Sequence, residues 1–122
     1  MNEYHGFISR LSSELAPGSL IIDCHSFPSD LADIDICIGY NDDASKPEQE
    51  MIDKATRLLD RAGFTVGLNN PYSNSITPKK PIDYKSLMIE VNKRCYMNEG
   101  TLARTVGYGI ISGLVNDFYR LV

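Results

Sequence analysis

The chain has 122 residues, 43% hydrophobic and 23% charged, with 12 Lys and Arg against 16 Asp and Glu for a net charge of −4. That length predicts a single domain over residues 1–122, and the composition excludes a disordered or low-complexity protein. No basic run is long enough to track a phosphate backbone, and no apolar run approaches the roughly 20 residues that cross a bilayer, so nucleic acid and membrane are not expected partners.

Phe7, Ile8, Leu11 and Leu15 recur at helical spacing before Pro17-Gly18 stops the pattern, which predicts an amphipathic helix over about residues 2–15. The opening MNEYHGFISRL turns amphipathic at once, without the charged and then apolar stretch of an export leader. SLIID (Ser19 to Asp23) reads as a short strand and IDICIGY (Ile34 to Tyr40) as a second, with CHSFPSDLAD as a loop between them. Ser45 followed by Glu48 makes a capping box with Pro47 in the first turn. Met51, Ile52, Ala55, Leu58, Leu59 and Ala62 then fall on one helical stripe, and Gly63 sits where a helix ends in the left-handed conformation.

FTVGL (Phe64 to Leu68) and SLMIEV (Ser86 to Val91) read as two more strands. Between them NNPYSNSITPKKPIDYK is rich in Asn, Ser, Pro and Lys, a long segment of the kind that is functional or mobile. Leu102, Val106, Ile110, Leu114, Phe118 and Leu121 repeat every three or four positions and predict a long helix from about Asn98 to Leu121. No strand precedes its GYGIISG segment, so Gly107, Gly109 and Gly113 are read as points of close helix packing rather than a phosphate loop. The order α, β, β, α, β, β, α predicts an α/β fold, a mostly parallel or mixed sheet with helices on both faces.

Cys24, Cys37 and Cys95 form an odd set without CxxC spacing, which suits a reducing, cytoplasmic setting, and each is read as a small buried apolar residue. Ligands in open α/β sheets collect at strand ends, where three polar clusters qualify. These are Asp23-Cys24-His25-Ser26, Asn69-Asn70-Pro71-Tyr72, and Glu90 with Asn92 and Arg94. His25 is either a hydrogen-bonded structural residue or a metal ligand, with Asp23 or Asp35 orienting its ring. Glu90 lies among Leu87, Met88, Ile89 and Val91, where burial would raise its pKa and suit it to general acid or base work. The competing reading is an ion pair with Lys93 or Arg94.

In this order LIIDCHSFPS, DICIGYND, NNPYSNS and MIEVNKRCYMNEGTL resemble the N-formylglutamate amidohydrolases, zinc hydrolases of the carboxypeptidase-like superfamily, over about Tyr4 to Leu102. The resemblance implies part of the zinc carboxypeptidase-like fold, corresponding to the family's C-terminal portion. It implies His25 as one ligand of a catalytic zinc and Glu90 as the carboxylate that activates the bound water and passes its proton to the leaving amine. It also places Asn70, Tyr72, Asn92 and Arg94 around the pocket of a small acidic N-acyl amino acid. The family's other zinc ligands, a histidine and an acidic residue, and an arginine-rich substrate-binding segment lie upstream of Met1, and His5 does not replace them by motif. Asn74 stands where the family loop has glycine. The expectation is therefore either a hydrolase completed by a second copy, by a complementing upstream polypeptide or by a longer gene product of which this is a fragment, or a catalytically silent relative that binds a small molecule or protein. An exposed sheet edge and self-association accompany both.

Overall fold

The computed structural model describes residues 18–70, 72–75 and 83–120. The helix expected over about 2–15, together with His5, lies outside the described residues. Four strands, β1 (Ser19–Phe27), β2 (Ile36–Gly39), β3 (Val66–Leu68) and β4 (Tyr84–Asn92), form one sheet in the order β1-β4-β2-β3. β1 runs parallel to β4 and β2 parallel to β3, whereas β2 and β4 are antiparallel. The sheet is mixed, as the α/β pattern of the sequence allows.

Period-two alternation gives the sheet two different faces. Ile36 and Ile38 of β2 with Leu87, Ile89 and Val91 of β4 form one face, and they join Ala55 and Leu59 of α1 (Gln49–Arg61) and Phe118 of α2 (Gly107–Tyr119) in the core. Ser86, Met88, Glu90 and Asn92 occupy the other face of β4, with Cys37 and Gly39 beside them on β2. Residues of the 72–75 segment lie against this second face: the Cys37 thiol donates to the Tyr72 carbonyl at 3.2 Å, and the Ser86 and Ser75 hydroxyls are 2.7 Å apart.

Three local expectations change. β1 continues to Phe27, because the register with β4 carries on through Cys24↔Ile89, His25↔Glu90 and Ser26↔Val91; CHSF is strand, not loop. Ser45 is not a helix cap: it is buried, its hydroxyl donates to Asp43 Oδ1 at 2.6 Å and accepts from the Asn41 amide at 3.0 Å, and α1 begins four residues later behind Glu48. At the other end Gly63, with φ +94°, closes α1 as expected: its N–H donates to the Asp60 carbonyl and that of Phe64 to Leu59.

The third concerns the C-terminal helix, which starts at Gly107 rather than near Asn98. The Asn98 side-chain oxygen accepts the N–H groups of Gly100 and Thr101, and a bridge between Met97 and Arg104 closes the loop, so local side-chain bonds outcompete helix formation there. Leu102 and Val106, placed on the helical stripe by spacing, are 74% and 90% exposed. Gly107 does pack closely, since a methyl there would collide with the Cys95 carbonyl, but Gly109 and Gly113 face open space.

Candidate active site

Parallel pairing of β1 with β4 sets His25 opposite Glu90, and paired residues point to the same side of a sheet. His25 Nδ1 lies 3.9 Å from Glu90 Oε1, and its Nε2 lies 2.8 Å from Asp23 Oδ2, two residues back on the same strand face. The imidazole is thus held from one nitrogen and presents the other to Glu90. Side-chain exposure falls from 42% at His25 to 15% at Asp23 and 12% at Glu90, so the carboxylates are shielded and the imidazole is open.

Burial pushes the Glu90 carboxyl above the usual range; the neighbouring imidazole opposes this and the Asp23 charge reinforces it. The ion pair with Lys93 or Arg94 considered from sequence is not the contact Glu90 makes; its ionisable neighbour is His25. Asp23, not Asp35, orients the ring. Cys37, paired across β2–β4 with Glu90, lines the same face, and burial, with Glu90's charge a smaller contributor, raises its thiol pKa. Spacing gave no role to Cys37, although its position between two core-facing isoleucines places it on the chemical face. Of the other thiols, Cys95 is partly buried and pushed up to about 11 by burial and then by Asp35, while Cys24 is exposed, against the expectation of a buried residue.

The remaining sequence candidates divide. Tyr72 sits at the site, its ring edge-on to Phe27 at 5.7 Å, and Phe27 lies two residues beyond His25 on the same strand face. Asn70 is exposed and its backbone approaches Gly67 so closely that a side chain there would collide with it. Asn74 takes the left-handed conformation, φ +73°, that the glycine of the resembling loop would adopt freely. Its carbonyl closes onto Gly39.

Asn92 and Arg94 serve the loop before β2. Asn92 is fully buried, and its amide donates to the carbonyls of Ala32 and Ile34 at 3.3 and 3.0 Å. Arg94 spans Asp33 at 2.7 Å and Asp35 at 3.1 Å, so its fork is already occupied by carboxylates of the chain.

The donor set fits a metal only in part. His25 Nδ1 faces Glu90 with its ring oriented by a carboxylate, the arrangement of a histidine ligand, yet the described residues contain no group of three His, Cys, Asp or Glu side chains able to hold an ion.

The crystal structure of N-formylglutamate amidohydrolase from Ralstonia eutropha JMP134 matches with a TM-score of 0.66 and 25% identity, over 96% of this chain and 45% of its own. The gene product Atu2144 from Agrobacterium tumefaciens shares the fold at a TM-score of 0.60 and 19% identity, over 97% of this chain and 50% of its own. The chain therefore spans half or less of the length of these two structures. No curated protein matches it significantly. The sequence model of the N-formylglutamate amidohydrolases matches residues 2–97, a span that includes Asp23, His25, Cys37, Tyr72 and Glu90, and the chain belongs to that family.

Proposed function

We propose that this chain carries the proton-handling part of a hydrolytic site that cleaves the amide of a small acidic N-formyl or N-acyl amino acid, N-formylglutamate first among them. The observation that supports this reading is the shielded Glu90 carboxyl facing an imidazole whose far nitrogen is held by Asp23. Hydrolysis of an amide requires a base to take a proton from water as its oxygen bonds to the carbonyl carbon, and an acid to protonate the nitrogen as the C–N bond breaks. Glu90 serves both steps: its proton affinity is raised by burial, so it accepts the water proton and returns it to the leaving amine. Tyr72 packs edge-on against Phe27, two residues beyond His25 on the same strand face.

His25 is offered as one ligand of a zinc ion, which when bound supplies a Lewis acid for the carbonyl oxygen and acidifies a water. The described residues do not complete that ligand set. The remaining ligands come from a second copy, from another polypeptide or from a longer product of which this chain is a part. The three unpaired thiols suit a cytoplasmic protein. Among the described residues no helix is long and apolar enough to cross a membrane.

The test is formate release from N-formylglutamate by purified protein supplied with zinc. Turnover should fall by about 10²–10⁴-fold in Glu90→Gln. Zinc-supplied wild type that releases no formate, both alone and with the rest of the domain added, would support instead the silent binding relative.

A further inference from the structure

We propose that Asn41 is a positioning residue of the site: through both backbone groups of Ser75 it holds residues 72–75 in register along β2, and so keeps Tyr72 at the level of Glu90. The contacts run in step. The Tyr72 carbonyl accepts at 3.2 Å from the thiol of Cys37, which pairs with Glu90 across β2 and β4. The Asn74 carbonyl closes onto Gly39, which pairs with Met88. Ser75 meets Asn41, two residues past the end of β2. Cys37, Gly39 and Asn41 are alternate residues, so the segment follows one face of the strand in the strand's own direction. A shift by one step would carry Tyr72 away from Glu90 and from Phe27, whose ring it meets edge-on.

The buried Asn41 amide is aimed by its other neighbours. Its Oδ1 accepts from the Ser75 N–H at 3.1 Å, while its Nδ2 donates to the Ser75 carbonyl at 3.3 Å and to the Ser45 hydroxyl at 3.0 Å. A carboxylate only accepts, so Ser45 gives its single hydroxyl proton to Asp43 Oδ1, at 2.6 Å, and turns a lone pair to Asn41. That lone pair takes an N–H and repels an oxygen, which leaves the Oδ1 of Asn41 for the Ser75 N–H. The Ser45 carbonyl in turn accepts from the Ser86 N–H of β4 at 2.9 Å, so the aim is fixed to the sheet. Asn41 thus acts on the site through the segment. The use of the held tyrosine in turnover rests on the hydrolase reading; its placement does not.

Iodoacetamide alkylation of the folded chain, located by peptide mass, reads the placement. Cys37 is fully buried against the segment, whereas Cys95 lies in the 3₁₀ turn Lys93–Cys95 and gauges opening of the molecule as a whole. Asn41→Ala removes both hydrogen bonds to the Ser75 backbone and should raise the rate at Cys37 about 10–100-fold, with Cys95 unchanged. Gly39→Ala, whose methyl meets the Asn74 carbonyl, should do the same and serves if Asn41→Ala does not fold. Ser75→Ala loses the hydroxyl contact to Ser86 but keeps both backbone contacts, and should leave Cys37 protected. An unchanged Cys37 rate in Asn41→Ala, a rise shared equally with Cys95 in both Asn41→Ala and Gly39→Ala, or loss of protection in Ser75→Ala overturns the proposal. Formate release reads the use. Asn41→Ala should raise KM about tenfold, and should add nothing in a Tyr72→Ala background, because Asn41 acts through Tyr72. Additive losses overturn that positioning role. Wild type that releases no formate refutes the hydrolase reading and leaves the alkylation rates to decide the placement.

Discussion

Asn92 lies two residues beyond Glu90 on the same face of β4, yet its interior amide is spent wholly on backbone. It holds the carbonyls of Ala32 and Ile34 and accepts from the Arg94 N–H at 3.1 Å. Asn92→Ala would leave those buried groups without partners and should cost about 2–3 kcal/mol in urea unfolding. The motif E-x-N-x-R was readable as a unit, but spacing could not separate the glutamate at the site from the asparagine and arginine that clamp the loop. That division depends on Asp33 and Asp35, some sixty residues earlier in the chain. Burial alone would push the Asp35 carboxyl up, but the Thr65 N–H and the Arg94 guanidinium outweigh it and hold the group below its usual value. Asp35 therefore adds stability above its unfolded pKa of about 3.9 and loses it as the pH falls through the lower folded value. Asp35→Asn should be less stable than wild type at neutral pH and the difference should shrink below about pH 4, as thermal unfolding across that range would show.

At the scale of elements, glycines of one composition have three different consequences. Gly63 caps α1 with φ +94° in open space, so Gly63→Ala pays a backbone cost of about 1 kcal/mol. Gly107 opens α2 against the Cys95 carbonyl, and an added methyl there forces the helix away from the 3₁₀ turn Lys93–Cys95. Gly113 lies inside α2 with no atom near, so Gly113→Ala should stabilise by about 0.5–1 kcal/mol. Melting temperatures of the three variants should fall, fall and rise. Helix α1 could be read from its apolar stripe because burial follows it at Ile52, Ala55 and Leu59. The start of α2 could not, because Leu102 and Val106 keep the spacing of a helix while the Asn98 turn bends the backbone out of it, with Leu102 at φ +62°.

For the whole molecule, β4 is the keystone. It pairs with β1 on one side and β2 on the other, and four consecutive residues, Ser86 to Ile89, are buried. Native-state hydrogen exchange should find the β4 amides among the slowest. The apolar residues Leu87 to Ile89 and Val91 of SLMIEV announced a strand, though not its central place. What the sequence left open was direction: parallel to β1 and antiparallel to β2 are decided by how the chain returns through residues 40–84, and no local pattern records that path.

His25 and Glu90 belong to strands that are adjacent in space but separated by two other strands and a helix along the chain. During synthesis the first of them leaves the ribosome well before its neighbour exists, and parallel partners cannot meet through a short turn. Until β4 arrives, β1 lacks that neighbour, so the interval hazardous for aggregation and the interval in which His25 and Glu90 are apart are the same one. Chaperone demand should therefore end as His25 and Glu90 come together.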